Sequence, residues 1–128
     1  MPASATILLY GVDPSLLATR HLILERSGFV VRSTDDVGHA TKLIEQRAAD
    51  LIVVCHTVAA AEAEDLLALA QTVRPVMKTV VLIAANPSWI PGTADGLLVA
   101  LDGPSALLAT VKVALEAAEA RRGSAASR

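Results

Sequence analysis

The amino-acid sequence predicts an α/β fold, with one five-stranded, all-parallel sheet covered by helices on both faces. Three observations predict it. Short aliphatic runs alternate with helix-period segments from one end of the chain to the other. The run Leu51–Cys55 is apolar throughout, as expected of a strand buried on both faces. The apolar residues make up 53% of the 128, and the aromatics among them are confined to Tyr10, Phe29 and Trp89. A core of Ala, Val, Leu and Ile suits parallel strands joined by right-handed helical crossovers.

Each element follows from local chemistry. Ala5 to Tyr10 is a first aliphatic strand. Asp13-Pro14 then starts a helix, since an aspartate N-cap followed by proline at the first helical position is a strong initiation signal. That helix carries Leu16, Leu17, Ile23 and Leu24 at helical spacing and stops near Ser27-Gly28. Phe29 to Arg32 is a second strand, and Asp35 and Asp36 read as caps for a helix that ends around Arg47. Leu51 to Cys55 forms the third strand. An alanine-rich helix follows over Ala60 to Val73, with Glu62, Glu64 and Asp65 near its positive end.

Thr79 to Ala84 is the fourth strand and Leu97 to Ala100 the fifth. Between them, Asn86 to Gly92 holds two prolines and a glycine, which argues against a full helix there. Gly103-Pro104 opens the last helix, which is expected to run to about Arg121. The domain is expected to span residues 1–122, with 123–128 as a short disordered polar tail.

Composition excludes several classes of function. With 19% charged residues and a mean hydropathy of +0.51, the chain is not a disordered polypeptide. A net charge of −2 and no basic stripe leave nucleic-acid binding without its electrostatic footprint. Cys55 is the only cysteine, so no internal disulfide forms and a reducing cytoplasm is the expected location. No apolar run approaches the length of a membrane span, and the first residues lack the pattern of a secretion signal.

In open parallel sheets the functional crevice lies beyond the carboxyl ends of the strands. Around those ends the residues form an ordered pattern. Ile7-Leu8-Leu9-Tyr10-Gly11-Val12-Asp13-Pro14 leads a hydrophobic strand into a proline-started helix. Ser27-Gly28-Phe29-Val30-Val31 links that helix to the next strand. Ala40-Thr41-Lys42-Leu43-Ile44, Asp50-Leu51-Ile52-Val53-Val54 and Gly103-Pro104-Ser105-Ala106-Leu107-Leu108 follow in sequence. Over roughly Ala5 to Ala117 this set resembles the receiver domains of response regulators. The resemblance implies a flavodoxin-like sheet of strand order 2-1-3-4-5.

Receiver chemistry uses a strand-three aspartate as phosphoacceptor and a pair of strand-one acids that hold magnesium. It also uses a strand-four hydroxyl and a strand-five lysine, with a strand-five aromatic that reports the state. By the resemblance, the acceptor position here is Cys55, and the acidic pair falls on Gly11 and Val12. The hydroxyl position is Ala84, the lysine position Ala100 and the aromatic position Leu97. Every part is replaced. A Gly-Val pair offers a hard cation no carboxylate. Ala84 and Ala100 cannot stabilise charge on a transferring phosphoryl group. The expectation is therefore a degenerate, non-enzymatic receiver-like module without metal or cofactor, acting through protein partners in a phosphorelay-type system. A histidine kinase, an output protein or a second copy of the chain would be the partner.

The stretch from Ala84 to Ala100 is also shorter than the family uses, by more than one helical turn. The resemblance places the fourth helix there, so that helix is expected to be shortened or missing and the partner surface remodelled. Trp89 and Ile90 lie in the replacement segment. They read either as partner contacts or as a cover for apolar surface left by the missing helix. Asp13 reads as a helix cap, with a residual acid of the emptied pocket as the alternative. Two other functions remain open at this stage: a thiol switch at Cys55 beside His56, and a sensor whose emptied pocket (Gly11, Val12, Ala84, Ala100) takes an apolar or neutral ligand.

Overall fold

A computed structural model describes residues 5–73, 77–84, 89–91, 94–99 and 102–126, with side chains described as far as residue 116. The chain folds into five strands, β1 (Thr6–Tyr10), β2 (Val30–Thr34), β3 (Leu51–Val54), β4 (Lys78–Ile83) and β5 (Gly96–Val99). Four helices accompany them among the described residues: α1 (Pro14–Arg26), α2 (Val37–Glu45), α3 (Ala60–Thr72) and α4 (Pro104–Ala126). All strand pairs are parallel, in the order β2-β1-β3-β4-β5. This is the order expected from the sequence. The strand ends differ from the sequence reading by one or two residues, which is ordinary for hydrogen-bonded boundaries.

Alternation along each strand divides the core into two layers. Leu8, Tyr10, Ile52, Val54 and Val81 point to one side and pack with Leu43, Ile44, Leu66 and Leu67 of α2 and α3. Ile7, Leu9, Val53, Val80, Leu82 and Leu98 point to the other and pack with Leu24 of α1 and Leu107 and Val111 of α4. Because β1, β3 and β4 are covered on both sides, β3 is apolar throughout and β1 and β4 are apolar after their first one or two residues.

The helix signals act as the sequence suggests. Asp13 caps α1, its carboxylate accepting from the backbone N–H groups of Ser15 (3.0 Å) and Leu16 (3.1 Å). Asp36 caps α2 by accepting from the Gly38 N–H at 3.3 Å, whereas Asp35 makes no such bond. α1 ends on Gly28 at φ +99°, where the Phe29 N–H donates back to the Leu24 carbonyl. α2 ends the same way on Arg47 at φ 56°, a conformation glycine would take more easily.

At the amino ends of the strands two aspartates fasten the sheet. Asp50 accepts from the Thr6 N–H at 2.8 Å, and Asp95 accepts from the N–H of buried Thr79 at 2.9 Å. Gly96 lets α4 approach β5 closely, since a Cβ there would lie 2.9 Å from the Thr110 methyl.

Two sequence expectations need revision or completion. α4 continues to Ala126, five residues beyond the expected end at Arg121, so Gly123 does not break it. Its run of alanines and long side chains carries helical propensity past the single glycine, which costs only about 1 kcal/mol. Between β4 and β5, none of the described residues (84, 89–91, 94 and 95) is helical, in line with a missing helix. No helix among the described residues is long and apolar enough to cross a membrane.

Candidate functional site

The ladder continues one residue beyond the carboxyl ends of β1 and β3. The Cys55 N–H donates to the Tyr10 carbonyl at 2.9 Å, and the Gly11 N–H to the Thr34 carbonyl at 3.3 Å. These bonds set Gly11 and Cys55 side by side at the floor of the crevice. A Cβ on Gly11 would lie only 3.0 Å from both the Cβ and the Sγ of Cys55. The sulfur therefore fills the space that a strand-one side chain would need. Val12 turns outward, 48% exposed, with its N–H held by the Thr57 hydroxyl at 3.3 Å.

A magnesium ion does not fit this floor. Neither Gly11 nor Val12 brings a carboxylate, and Asp13 is engaged in capping α1. Among the described residues, no group of three or more His, Cys, Asp or Glu side chains converges as a metal site.

Cys55 is buried, with 3% of its surface exposed. Burial pushes its thiol up, and this outweighs the opposing effect of the Arg20 guanidinium beside it. His56 is pulled down, first by burial and then by Arg20, against a smaller opposing effect of Asp13. At neutral pH the pair is thus a thiol and a neutral imidazole, the reverse of an activated thiolate–imidazolium pair.

Arg20 is the residue that sequence reasoning missed. It lies on α1 between Leu17 and Leu24, on the inward stripe, and is only 7% exposed. Its Nη1 has no hydrogen-bond partner among the described residues, and neither does Nδ1 of His56. A buried donor without a partner costs about 1–3 kcal/mol, more if charged. The signal was available: Arg20 is three residues after Leu17 and four before Leu24, both inward-facing.

Among the described residues, two cavities adjoin the carboxyl ends of the strands. The smaller, about 120 Å³, is lined by Cys55, His56, Val58, Ala84 and Trp89, among others. It includes one of the four residues proposed for the emptied pocket, Ala84. Gly11 and Val12 are not in its wall, and Ala100 lies outside the described residues. The larger, about 160 Å³, lies between α1 and the start of α4, with Arg20 in its wall. Trp89 packs on the α2–α3 layer, and its indole N–H donates to Glu64 on α3 at 3.0 Å. It covers apolar surface, whereas its neighbour Ile90 is 59% exposed. Leu97, which the resemblance puts at the aromatic position, is 46% exposed, whereas its neighbour Leu98 is buried.

With this geometry the molecule is an α/β fold in which helices cover both faces of a parallel sheet of order β2-β1-β3-β4-β5. Solved structures share this fold. One is a response regulator receiver domain from Methanospirillum hungatei JF-1, with TM-score 0.78 and 23% identity. It covers 92% of this chain and 98% of that one. Another is the signal receiver domain of an HD domain-containing protein from Pseudomonas fluorescens Pf-5, with TM-score 0.78 and 19% identity, covering 91% and 98%. NtrX from Brucella abortus matches 98% of this chain but only 29% of its own, with TM-score 0.81 and 19% identity. No protein-family model and no curated protein sequence matches the chain. The chain has the fold of response-regulator receiver domains.

Proposed function

We propose that this chain is a receiver-like signalling module of the two-component type that works through protein–protein contact without accepting a phosphoryl group. The supporting observation is the floor of the crevice: a buried Cys55 at the acceptor position, its sulfur packed against Gly11 where an acid would stand. Phosphoryl transfer depends on a metal and on cations placed around the equatorial oxygens. Gly11, Val12 and Ala84 supply neither, and the remaining nearby acid is occupied at a helix cap.

The partner on this reading is a histidine kinase or an output protein, with a second copy of the chain as another candidate. Leu97 and Ile90 are exposed on the side where the family's fourth helix would lie, and they offer apolar anchors for such contact. A thiol switch at Cys55 has less support, because burial keeps the thiol protonated.

The test is incubation with acetyl phosphate and magnesium, followed by intact-mass measurement. The expected result is an unchanged mass. A stoichiometric, hydroxylamine-labile phosphoryl group on any residue would overturn the reading.

A further inference from the structure

Apart from the crevice, one cluster joins a nucleophile, a base and an acid in that order. Ser33, on the edge strand β2, has its hydroxyl 2.5 Å from Nδ1 of His21 on α1. The other ring nitrogen, Nε2, is 3.4 Å from the carboxylate of Glu25, one helical turn further along. A carboxylate only accepts, so Nε2 keeps the ring proton and Nδ1 is left to accept from Ser33. His21 and Glu25 meet because residues four apart share a helix face. Ser33 meets them because alternation along β2 turns it, like Val31, toward the α1 side.

The next residue shows a hydroxyl–imidazole contact of a purely structural kind. Thr34 is buried, and its oxygen accepts from the Asp36 N–H at 3.1 Å besides meeting Nδ1 of His39 at 3.1 Å. Ser33 is partly exposed, and its hydroxyl has no second partner among the described residues. Its backbone is open as well. The Val30 N–H donates to the Ala5 carbonyl at 3.0 Å, and the Thr34 carbonyl accepts from the Gly11 N–H at 3.3 Å, so alternate residues of β2 bond to β1. Ser33 falls between them, and its N–H points to the edge of the sheet, beyond which no described strand lies.

We infer that Ser33 is a reactive serine that accepts an acyl group from a small, uncharged, activated ester, with His21 as its base. A bond forms between Ser33 Oγ and the acyl carbon as the bond from that carbon to the leaving oxygen breaks. The hydroxyl proton passes to Nδ1 of His21 and from there to the departing oxygen. The Ser33 N–H is free to meet the oxygen that turns negative on the way. Neither cavity described above includes these residues, so the reactivity of the donor selects it rather than its shape. The Glu25 carboxylate beside the ring disfavours an anionic donor such as an acyl phosphate. This inference goes beyond the proposed protein–protein role and does not depend on it.

The experiment is reaction of the full chain with p-nitrophenyl acetate, the acetyl group being located by peptide mass mapping. The expected result is a burst of about one equivalent of nitrophenolate and an acetyl group on Ser33. Ser33→Ala should remove the burst. His21→Gln should slow acetylation of Ser33 by about 100-fold or more, the effect of losing a positioned base. Glu25→Ala should slow it by about two- to fivefold, as expected for loss of an exposed ion pair. Trp89 fluorescence, on the opposite face of the sheet, reports that each variant remains folded. Acetylation confined to lysines, or an unchanged rate at Ser33 in His21→Gln, would overturn the inference.

Discussion

On the face covered by α2 and α3, the polar groups nearest the crevice are paired. The Tyr10 hydroxyl reaches Glu62, and the Trp89 indole donates to Glu64. On the face covered by α1 and α4, Arg20 lies buried with a nitrogen unpartnered among the described residues, and a cavity of about 160 Å³ adjoins it. Both layers use the same aliphatic residues, drawn from alternate positions of the same strands. They differ at the upper end, where the cavity beside Val58 and Trp89 is about 120 Å³ and the one beside α1 and α4 is about 160 Å³ with a buried charge in its wall. Closed packing and satisfied polar groups are what a core needs for stability. The α1–α4 face departs further from both.

Core truncations should separate the faces most strongly. Leu66→Ala on the α2–α3 face creates a new void in that layer, and should cost about 3–5 kcal/mol in urea denaturation. Leu107→Ala beside the existing cavity merely enlarges a space and should cost nearer about 2 kcal/mol, at the low end of the range for leucine truncation. Equal costs would mean that the two faces are packed alike.

Restoring an acid on strand one is the next largest effect. In Gly11→Asp the new Cβ meets the Cys55 Cβ and Sγ at 3.0 Å. Overpacking of this kind should cost about 1–3 kcal/mol. Gly11→Asp combined with Cys55→Ala should recover part of that loss, a coupling measurable in a double-mutant cycle. Additive effects would show that the two side chains do not compete for one space.

Removing the buried charge should act in the opposite direction. Arg20→Met replaces an incompletely paired cation by an apolar chain of similar length. It should leave stability unchanged or raise it by about 1–3 kcal/mol. A large loss would indicate that the guanidinium is held by partners stronger than those in the structure.

The smallest contrast is in pH dependence, where the two regions should respond at opposite ends. Tyr10 is pushed up to about 12, chiefly by burial, then by its hydrogen bond to Glu62 and the charges of Glu62, Asp36 and Asp35. Between pH about 10 and 12 the unfolded phenol loses its proton first, so the contribution to stability, complete below pH about 10, falls away as pH rises. Tyr10→Phe should flatten that alkaline limb. His56 is pulled down, so on acidification below pH about 6.5 the unfolded imidazole takes up its proton first. Stability should therefore decline with falling pH through that region, and His56→Asn should flatten the decline.

Much of this architecture was legible in the residues themselves. Asp13-Pro14, Asp36 and Gly28 act locally, so their roles as caps and stop could be read without knowing the fold. The all-apolar third strand indicated a central position because only a strand covered on both sides can be so composed. The degenerate crevice is what the family resemblance implies at Gly11, Val12, Cys55, Ala84 and Ala100, and the close approach of Gly11 to Cys55 supplies a packing reason for the joint presence of those two. What escaped notice depends on tertiary placement. Arg20 is an ordinary helix residue until α4 and β4 close over it. The pairing of Trp89 with Glu64 spans 25 residues and crosses between elements. Asp95 fastens the start of β5 to Thr79, a pairing across strands that no local pattern announces.

The central claim is that the rebuilt crevice no longer recognises a phosphoryl group. The most direct test is titration of the chain with magnesium and beryllofluoride, a phosphoryl mimic, followed by amide NMR across Gly11–Asp13 and Cys55–Thr57. The account predicts no saturable shift at any of these amides. Saturable shifts centred on Asp13 and Cys55 would contradict it and return the crevice to phosphate-type signalling.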